Sequence, residues 1–314
     1  MRSVIWIMFT MVIVVFAEDS IWNKIDKSPH ISDKRADGYY REGLKDIENH
    51  KYQEALDKIH KASELDASRR HYFYNDIGRV YYERKEYAQA KKWFQKSIAE
   101  PKKNYRAYYN LGSVYYIEKD YINSIKYYKE AYKLNPINSE IVFYLGNSFF
   151  SNKEYDLAIE SYKKSLEIDP KYADVISNIG LCYIYKKDYK KAEESYIKAV
   201  KFDKNNFINY LVLFELELIV DKEFNKKLEQ EFLLKFQKEK NIVIVYDAYK
   251  ILQKVSNEKE VDEDIKKWFN RYKNIKRIWI FNDIEKWIAD KKDMMVQSKL
   301  EKILPLFRKN IIDE

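Results

Sequence analysis

Residues 105–138 read YRAYYNLGSVYYIEKDYINSIKYYKEAYKLNPIN, and this stretch predicts two short amphipathic helices joined by a turn. In its first half Tyr108, Leu111 and Tyr115 are spaced as i, i+3 and i+7, which places them on one face of a helix. A second apolar stripe follows and stops at Pro136, since proline cannot continue a helix. A lone hairpin of this size cannot bury both stripes, so it needs copies of itself as neighbours.

Such copies are present at a period of 34 residues. The glycine column is Gly43, Gly78, Gly112, Gly146 and Gly180, at steps of 35, 34, 34 and 34 residues. A tyrosine opens each predicted second helix, and a small residue follows it three positions later. These two columns are Tyr52, Tyr87, Tyr121, Tyr155 and Tyr189, and Ala55, Ala90, Ser124, Ala158 and Ala192.

The glycines are informative because glycine inside a helix costs roughly 1 kcal/mol relative to alanine. Five glycines at the same position of the repeat predict that a side chain at this position would collide with the paired helix. A substitution at Gly146 is therefore expected to be costly, and one at Lys153, in the predicted turn, is expected to be tolerated.

The register resembles that of the tetratricopeptide repeat (TPR) family, including prolines at the repeat ends such as Pro136 and Pro170. The resemblance implies an all-α fold in which antiparallel helix pairs form a right-handed superhelical solenoid. The five copies are predicted at 36–69, 71–104, 105–138, 139–172 and 173–206. The outer copies are degenerate, with Ala67 and Lys204 in place of the proline, as terminal repeats tend to be.

The chain begins with a short positive end and an apolar run, Val4 to Phe16, that is too short to span a bilayer as a relaxed helix. Small residues in the Val15-x-Ala17 triplet fit cleavage by signal peptidase. We therefore expect residues 1–17 to be a signal peptide and the protein to be exported, to the periplasm. An uncleaved membrane anchor and a cytosolic chain are the alternatives. Residues 18–35 are predicted to be a linker.

Residues 207–314 form a second predicted region, in which the repeat register decays. Phe214 stands where the next glycine would fall, so this region is expected to be a helical cap or subdomain. Its aromatic series, including Trp268, Trp279 and Trp287, is interpreted as the core of that subdomain. A docking surface for a protein or a membrane is the alternative.

Sequence motifs for catalysis, nucleotide binding and metal binding are absent from the chain. We therefore expect neither an enzyme nor a bound cofactor. The net charge of +8 is spread along 314 residues and does not form the clustered basic track that nucleic-acid binding requires. The lone Cys182 is interpreted as a packing residue, and the four histidines as surface or packing residues and not metal ligands.

In the family that the chain resembles, first helices line a concave groove that takes extended peptides or partner helices. The family's carboxylate clamp is absent, because Tyr40, Leu44 and Asp76 occupy its lysine and asparagine positions. One step around each first helix from the packed stripe lie aromatic, amide and arginine side chains that are predicted to line this groove. They are Tyr40, Asn75, Arg79, Tyr82, Arg106, Tyr109, Asn110, Ser113, Tyr116, Phe143, Asn147, Phe150 and Asn178. The alternative is that neighbouring repeats bury most of these rings.

These features predict an exported interaction scaffold or envelope assembly factor that binds a protein or peptide segment. Tyrosine and arginine dominate interface energetics, which favours a recognition groove. One rival is an RNA-binding helical-repeat protein of the pentatricopeptide type. The other is an enzyme with its active site in residues 207–314.

Overall fold

The computed structural model describes residues 33–170, 173–220 and 222–257, with short pieces at 261, 263–265, 267–268 and 297. The predicted signal peptide, the start of the predicted linker and most of the tryptophan-rich tail lie outside the described residues. The described chain contains α-helices, one turn of 3₁₀ helix and no strand. It divides into two compact units, one that ends at Lys186 and one that begins at Lys187.

Nine described α-helices in the first unit form four antiparallel pairs followed by α9. They are α1 Lys34–Glu48, α2 Tyr52–Leu65, α3 Arg70–Glu83, α4 Tyr87–Ala99, α5 Tyr105–Ile117, α6 Tyr121–Leu134, α7 Ser139–Ser151, α8 Tyr155–Ile168 and α9 Ala173–Tyr185. Odd-numbered helices are the first helices of a repeat and even-numbered helices the second. Each second helix also packs against the first helix that follows it, from α2 on α3 through α8 on α9. This arrangement is the all-α repeat fold that the 34-residue pattern predicts.

Helix boundaries follow the repeated residues closely. Every second helix of this unit begins at a column tyrosine, and α6 and α8 each end two residues before Pro136 and Pro170. Asparagine caps the first helices of repeats 3 and 4: the Asn104 side chain accepts from the backbone N–H of Arg106, and the Asn138 side chain accepts from that of Glu140. The small-residue column from Ala55 to Ala158 is fully buried.

The turn inside each repeat has one residue with a left-handed backbone, and in four of five cases it is lysine. In the fourth repeat Lys153 has φ 66°, its N–H donates to the Phe150 carbonyl, and Glu154 donates to that of Phe149. These two bonds form a Schellman motif. The expectation that valine is tolerated at Lys153 is therefore wrong, since a β-branched side chain is strained at positive φ.

The glycines permit close contact between the two helices of a repeat, as the sequence predicts. A Cβ built on Gly146 would lie 2.6 Å from Cε1 of Tyr162, and one on Gly78 2.6 Å from the ring of Phe94. At Gly112 the corresponding distance to the Tyr128 ring is 3.1 Å. The ring of the second helix therefore occupies the space that a side chain on the first helix would need.

We expect Gly146→Ala to lower the free energy of unfolding by about 1–3 kcal/mol, because the buried Tyr162 ring must move to admit a methyl group. Gly112→Ala is the matched control and should change the unfolding free energy little. Its added Cβ would make a longer, less costly contact, and the better helix propensity of alanine nearly offsets that cost. Urea denaturation measures both variants. Equal losses at the two sites would show that the glycine contact does not limit packing.

The second unit contains four described helices, α10 Tyr189–Phe202, α11 Phe207–Ile219, α12 Lys226–Phe236 and α13 Lys240–Ser256. Phe214 replaces the glycine and packs on Phe224 and Phe232 at ring-centroid distances of 5.1 and 5.4 Å. Because a large ring fills this position, α11 does not pair with its neighbour as the repeat helices do. Trp268 is buried, in agreement with a core role.

One buried carboxylate holds the loop between α11 and α12. The side chain of Glu217 is 4% exposed and accepts from the backbone N–H of Asn225, the N-cap of α12, at 3.1 Å. Burial, reinforced by Glu193, raises the pKa of Glu217 to about 7. The folded state therefore holds this proton more tightly than the unfolded chain does.

We expect the unfolding free energy of the wild type, relative to Glu217→Gln, to fall as pH rises from about 5 to about 8. The sign follows from the raised pKa of Glu217 in the folded state. Its bound proton stabilises the folded protein fully below the unfolded-state pKa, and this stabilisation is lost as pH rises through the folded-state pKa. At about pH 8 the variant is expected to be more stable by roughly 1–3 kcal/mol. Exposed Glu223→Gln is the control, and chemical denaturation across pH is the measurement. A pH-independent difference would refute the assignment.

Candidate functional site

The predicted groove residues all lie on first helices, but the structure buries nine of the thirteen. The buried ones are Tyr40, Asn75, Tyr109, Asn110, Ser113, Phe143, Asn147, Phe150 and Asn178. The prediction that these nine line an open groove is therefore corrected in favour of the alternative, in which neighbouring repeats bury the rings. The reason is that consecutive first helices pack side by side, as α3 does on α5.

Four polar members of the set and Asp76 form one hydrogen-bond network across the first three repeats. The Tyr40 hydroxyl donates to Oδ2 of Asp76 at 2.6 Å, and Arg79 Nη1 and Asn75 Nδ2 each donate to Oδ1 at 3.1 Å. Asn110 Nδ2 then donates to Oδ1 of Asn75 at 2.9 Å. The network joins α1, α3 and α5, so it fixes the spacing of three first helices.

Beyond this polar network, aromatic rings make contacts between repeats 3 and 4. The Tyr109 ring lies 5.5 Å from that of Tyr128 and 5.8 Å from that of Tyr144, and its hydroxyl donates to Glu140 at 3.1 Å. Phe143 contacts the rings of Tyr144 and Tyr162 at 5.2 and 5.9 Å. These rings form part of the interior between repeats 3 and 4.

Tyrosines of the second helices also reach the predicted groove residues, which the sequence reasoning missed. The Tyr128 hydroxyl lies 2.9 Å from Oγ of Ser113, and the Tyr162 hydroxyl donates to Oδ1 of Asn147 at 2.7 Å. Both tyrosines are fully buried. Their signal was present in the sequence, because Tyr128, Tyr162 and Tyr196 keep the 34-residue step.

Burial keeps these phenols protonated. It is the main cause that raises the pKa of Tyr40 well above its usual value, and the neighbouring carboxylate of Asp76 raises it further. Burial likewise raises the pKa values of Tyr109, Tyr128 and Tyr162. The hydroxyls therefore act as neutral hydrogen-bond donors and not as acids or nucleophiles.

Four predicted residues remain partly exposed, and all four lie on two adjacent first helices. Arg79 and Tyr82 are on α3, and Arg106 and Tyr116 are on α5. The Tyr82 ring contacts Tyr87 at 5.7 Å, and the Tyr116 hydroxyl lies 3.2 Å from Oγ of Ser151. We call these four residues the α3–α5 surface. The buried network beneath them supports Arg79 directly through Asp76.

Other reactive side chains in the described chain serve packing. Cys182 is buried, as expected, and burial raises the pKa of its thiol. Burial also lowers the pKa of His71 to about 4, so this ring is neutral at physiological pH. The described residues contain no group of three or more potential metal ligands. Within the same residues, no helix has the length and apolar character of a membrane span.

Family models agree with this geometry. Models described as tetratricopeptide repeat match residues 73–99, 105–138 and 173–206, and one described as TPR repeat matches residues 146–184. The repeat unit of this chain is therefore the tetratricopeptide repeat, a fold typical of protein–protein interaction scaffolds. The comparison with curated proteins returned no match.

Two solved structures show the same fold, and a third shares sequence with this chain. PilF of Pseudomonas aeruginosa is 21% identical over 66% of this chain and 92% of its own, with a TM-score of 0.54. MamA is 24% identical over 54% of this chain and 92% of its own, with a TM-score of 0.50. YrrB, a TPR protein described as having an unusual peptide-binding site, is 28% identical over 55% and 89% of the two chains, with a TM-score of 0.49.

The buried network leads to a stability prediction. We expect Asp76→Ala to cost about 3–5 kcal/mol, because it leaves Tyr40, Asn75 and Arg79 without a shared acceptor. Tyr40→Phe removes a single hydrogen bond and should cost about 1 kcal/mol. The double variant should cost less than the sum, since the two residues interact directly. Thermal and urea denaturation measure the cycle, with Tyr39→Phe as the exposed control. Strict additivity would contradict the hydrogen bond.

Proposed function

We propose that this protein is an exported interaction scaffold that binds a segment of another protein on the α3–α5 surface. The observation that carries the proposal is the placement of the accessible members of the predicted set. Two arginines and two tyrosines remain partly exposed on adjacent first helices, while the other nine are buried. Arginine and tyrosine are the residue types that most often carry binding energy in protein interfaces.

The network beneath the surface supports this role through preorganisation. Asp76 fixes the Arg79 guanidinium at 3.1 Å, and Ser151 lies within hydrogen-bond distance of the Tyr116 hydroxyl. Side chains held in place before binding lose less conformational entropy when a partner arrives. A rigid two-helix surface therefore suits recognition of an extended segment or a helix without a change in the scaffold.

The proposed location outside the cytoplasm rests on the apolar run from Val4 to Phe16 and the Val15-x-Ala17 triplet. N-terminal sequencing of protein from the native cell tests it, with Glu18 as the expected first residue of the mature chain. Recovery of an intact Met1 on cytosolic protein would exclude export. The scaffold proposal does not depend on this result.

The binding surface is tested by crosslinking in the native cell and then measuring affinity for the captured partner. We expect Tyr82→Ala with Arg106→Ala to weaken binding by about tenfold or more, because each side chain is a candidate anchor. The matched control is Arg35→Ala with Tyr39→Ala, which removes the same two residue types from exposed positions of α1.

Circular dichroism and thermal melting must first show that both double variants fold. If the control variant loses the partner and the α3–α5 variant retains it, the proposed surface is wrong. If deletion of residues 207–314 alone abolishes binding, recognition belongs to the tail. Substitutions at Tyr109 and Asn147 would not test this surface, because both residues are buried and their loss would disturb packing.

A further inference from the structure

The outer sides of α4 and α6 carry a strong local excess of positive charge. Together these two helices contain six lysines, one glutamate and no arginine. The exposed lysines are Lys92, Lys96, Lys126, Lys129 and Lys133, and we call them the basic outer face. The expectation of an evenly spread charge is therefore wrong for repeats 2 and 3, where lysines from two helices lie on one face, although the chain as a whole is only modestly basic.

Most of this charge is uncompensated. Lys133 pairs with Glu130 at 2.6 Å, whereas Lys92, Lys96, Lys126 and Lys129 form no ion pair within the described chain. Lys91, at the edge of the face, pairs with Glu118 at 2.6 Å. A cluster of lysines without carboxylates attracts an anionic partner over a distance of about one Debye length, roughly 8 Å at physiological salt.

Aromatic rings lie among these lysines. Lys96 Nζ is 3.8 Å from the ring centroid of Trp93, and Lys126 Nζ is 5.4 Å from that of Tyr127. Tyr127 of α6 stacks on Tyr115 at 5.3 Å, and Lys91 of α4 lies 5.2 Å from the same Tyr115 ring. Tyr115 thereby links the two helices into one continuous face. Tryptophan and tyrosine are enriched at the interface between membrane and water.

Exposed aliphatic side chains complete the face. Ile122 is 72% exposed, and Lys126, Lys129 and Lys133 follow it at i+4, i+7 and i+11, on the same side of α6. Ile137, just beyond the end of α6, is 81% exposed. An amphipathic surface with lysines, aromatic rings and exposed isoleucines has the composition of a helix that lies in a membrane interface.

We propose that the basic outer face binds the surface of an anionic phospholipid membrane. Lysine suits this partner because it acts as a point charge on diffuse headgroups, whereas specific recognition of phosphate and bases favours the planar fork of arginine. The exposed isoleucines favour lipid over nucleic acid, since they can enter the boundary between headgroups and acyl chains. No residue of this face belongs to the α3–α5 surface, so the scaffold proposal and this one stand separately.

Flotation of the full chain with vesicles tests the proposal. The chain should bind phosphatidylglycerol–phosphatidylcholine vesicles more tightly than pure phosphatidylcholine vesicles, and added salt should weaken the binding. Replacing Lys92, Lys126 and Lys129 by glutamine should lower the partition coefficient about a hundredfold, since each lysine contributes about fivefold at an anionic surface. The matched control replaces the exposed Lys226, Lys227 and Lys235 of α12 by glutamine and should retain binding.

A second comparison tests the apolar contribution without a change of charge. Ile137→Ser should reduce binding to anionic vesicles about threefold to tenfold, while Leu234→Ser, at a side chain that is 80% exposed in α12, should leave it unchanged.

Three results would overturn the proposal. The first is vesicle binding whose affinity depends neither on phosphatidylglycerol content nor on the three lysines, since the apolar N-terminal segment would then be responsible. The second is an equal loss of binding in the α12 control, which would mean that only net charge matters. The third is a lysine variant that loses affinity for single-stranded RNA but binds vesicles normally, because the face would then serve nucleic acid.

Discussion

The contact between a glycine on the first helix and a bulky side chain on the second helix, seen in each of repeats 1 to 4, is the constraint on which the repeat packing depends. At Gly78 and Gly146 an added Cβ would lie 2.6 Å from a buried ring, so the helices approach as closely as the backbone allows. This close approach lets the Tyr162 ring pack against the first helix, where its hydroxyl donates a hydrogen bond to Asn147. The helix propensity lost at each glycine is thus offset by a large buried ring and a hydrogen bond.

The same close packing decides what remains available for recognition. Because consecutive first helices lie side by side, their facing residues form an interior of hydrogen bonds and rings. Tyr40, Asp76, Asn75 and Asn110 satisfy one another there, as buried polar groups must. Asn147 is an exception, since its Nδ2 is buried without a hydrogen-bond partner in the described chain, which ordinarily costs about 1–3 kcal/mol. Of the thirteen predicted groove residues, only four, on α3 and α5, reach solvent.

The chain therefore presents two accessible surfaces of different chemistry on neighbouring repeats. The α3–α5 surface combines arginine and tyrosine above a rigid network, which suits a protein segment. The basic outer face of α4 and α6 combines lysine with exposed isoleucine and aromatic rings, which suits an anionic membrane. A scaffold with both surfaces would hold a bound protein near a membrane. The two proposals are compatible, and neither depends on the other.

The amino-acid sequence by itself determined the repeat length, the helix boundaries and the close contact at the glycines. These are local or periodic properties: a tyrosine marks the start of each second helix, a proline marks the end of a repeat, and a recurrent glycine marks a steric limit. The tertiary structure alone decided which groove residues are accessible, because burial depends on neighbours about 20 to 35 residues away in the chain. Tyr109 and Tyr116 lie on the same helix, yet the rings of Tyr128 and Tyr144 bury the first, while the second stays half-exposed. Likewise, the left-handed backbone of Lys153 follows from the geometry of the turn, since lysine has no intrinsic preference for it.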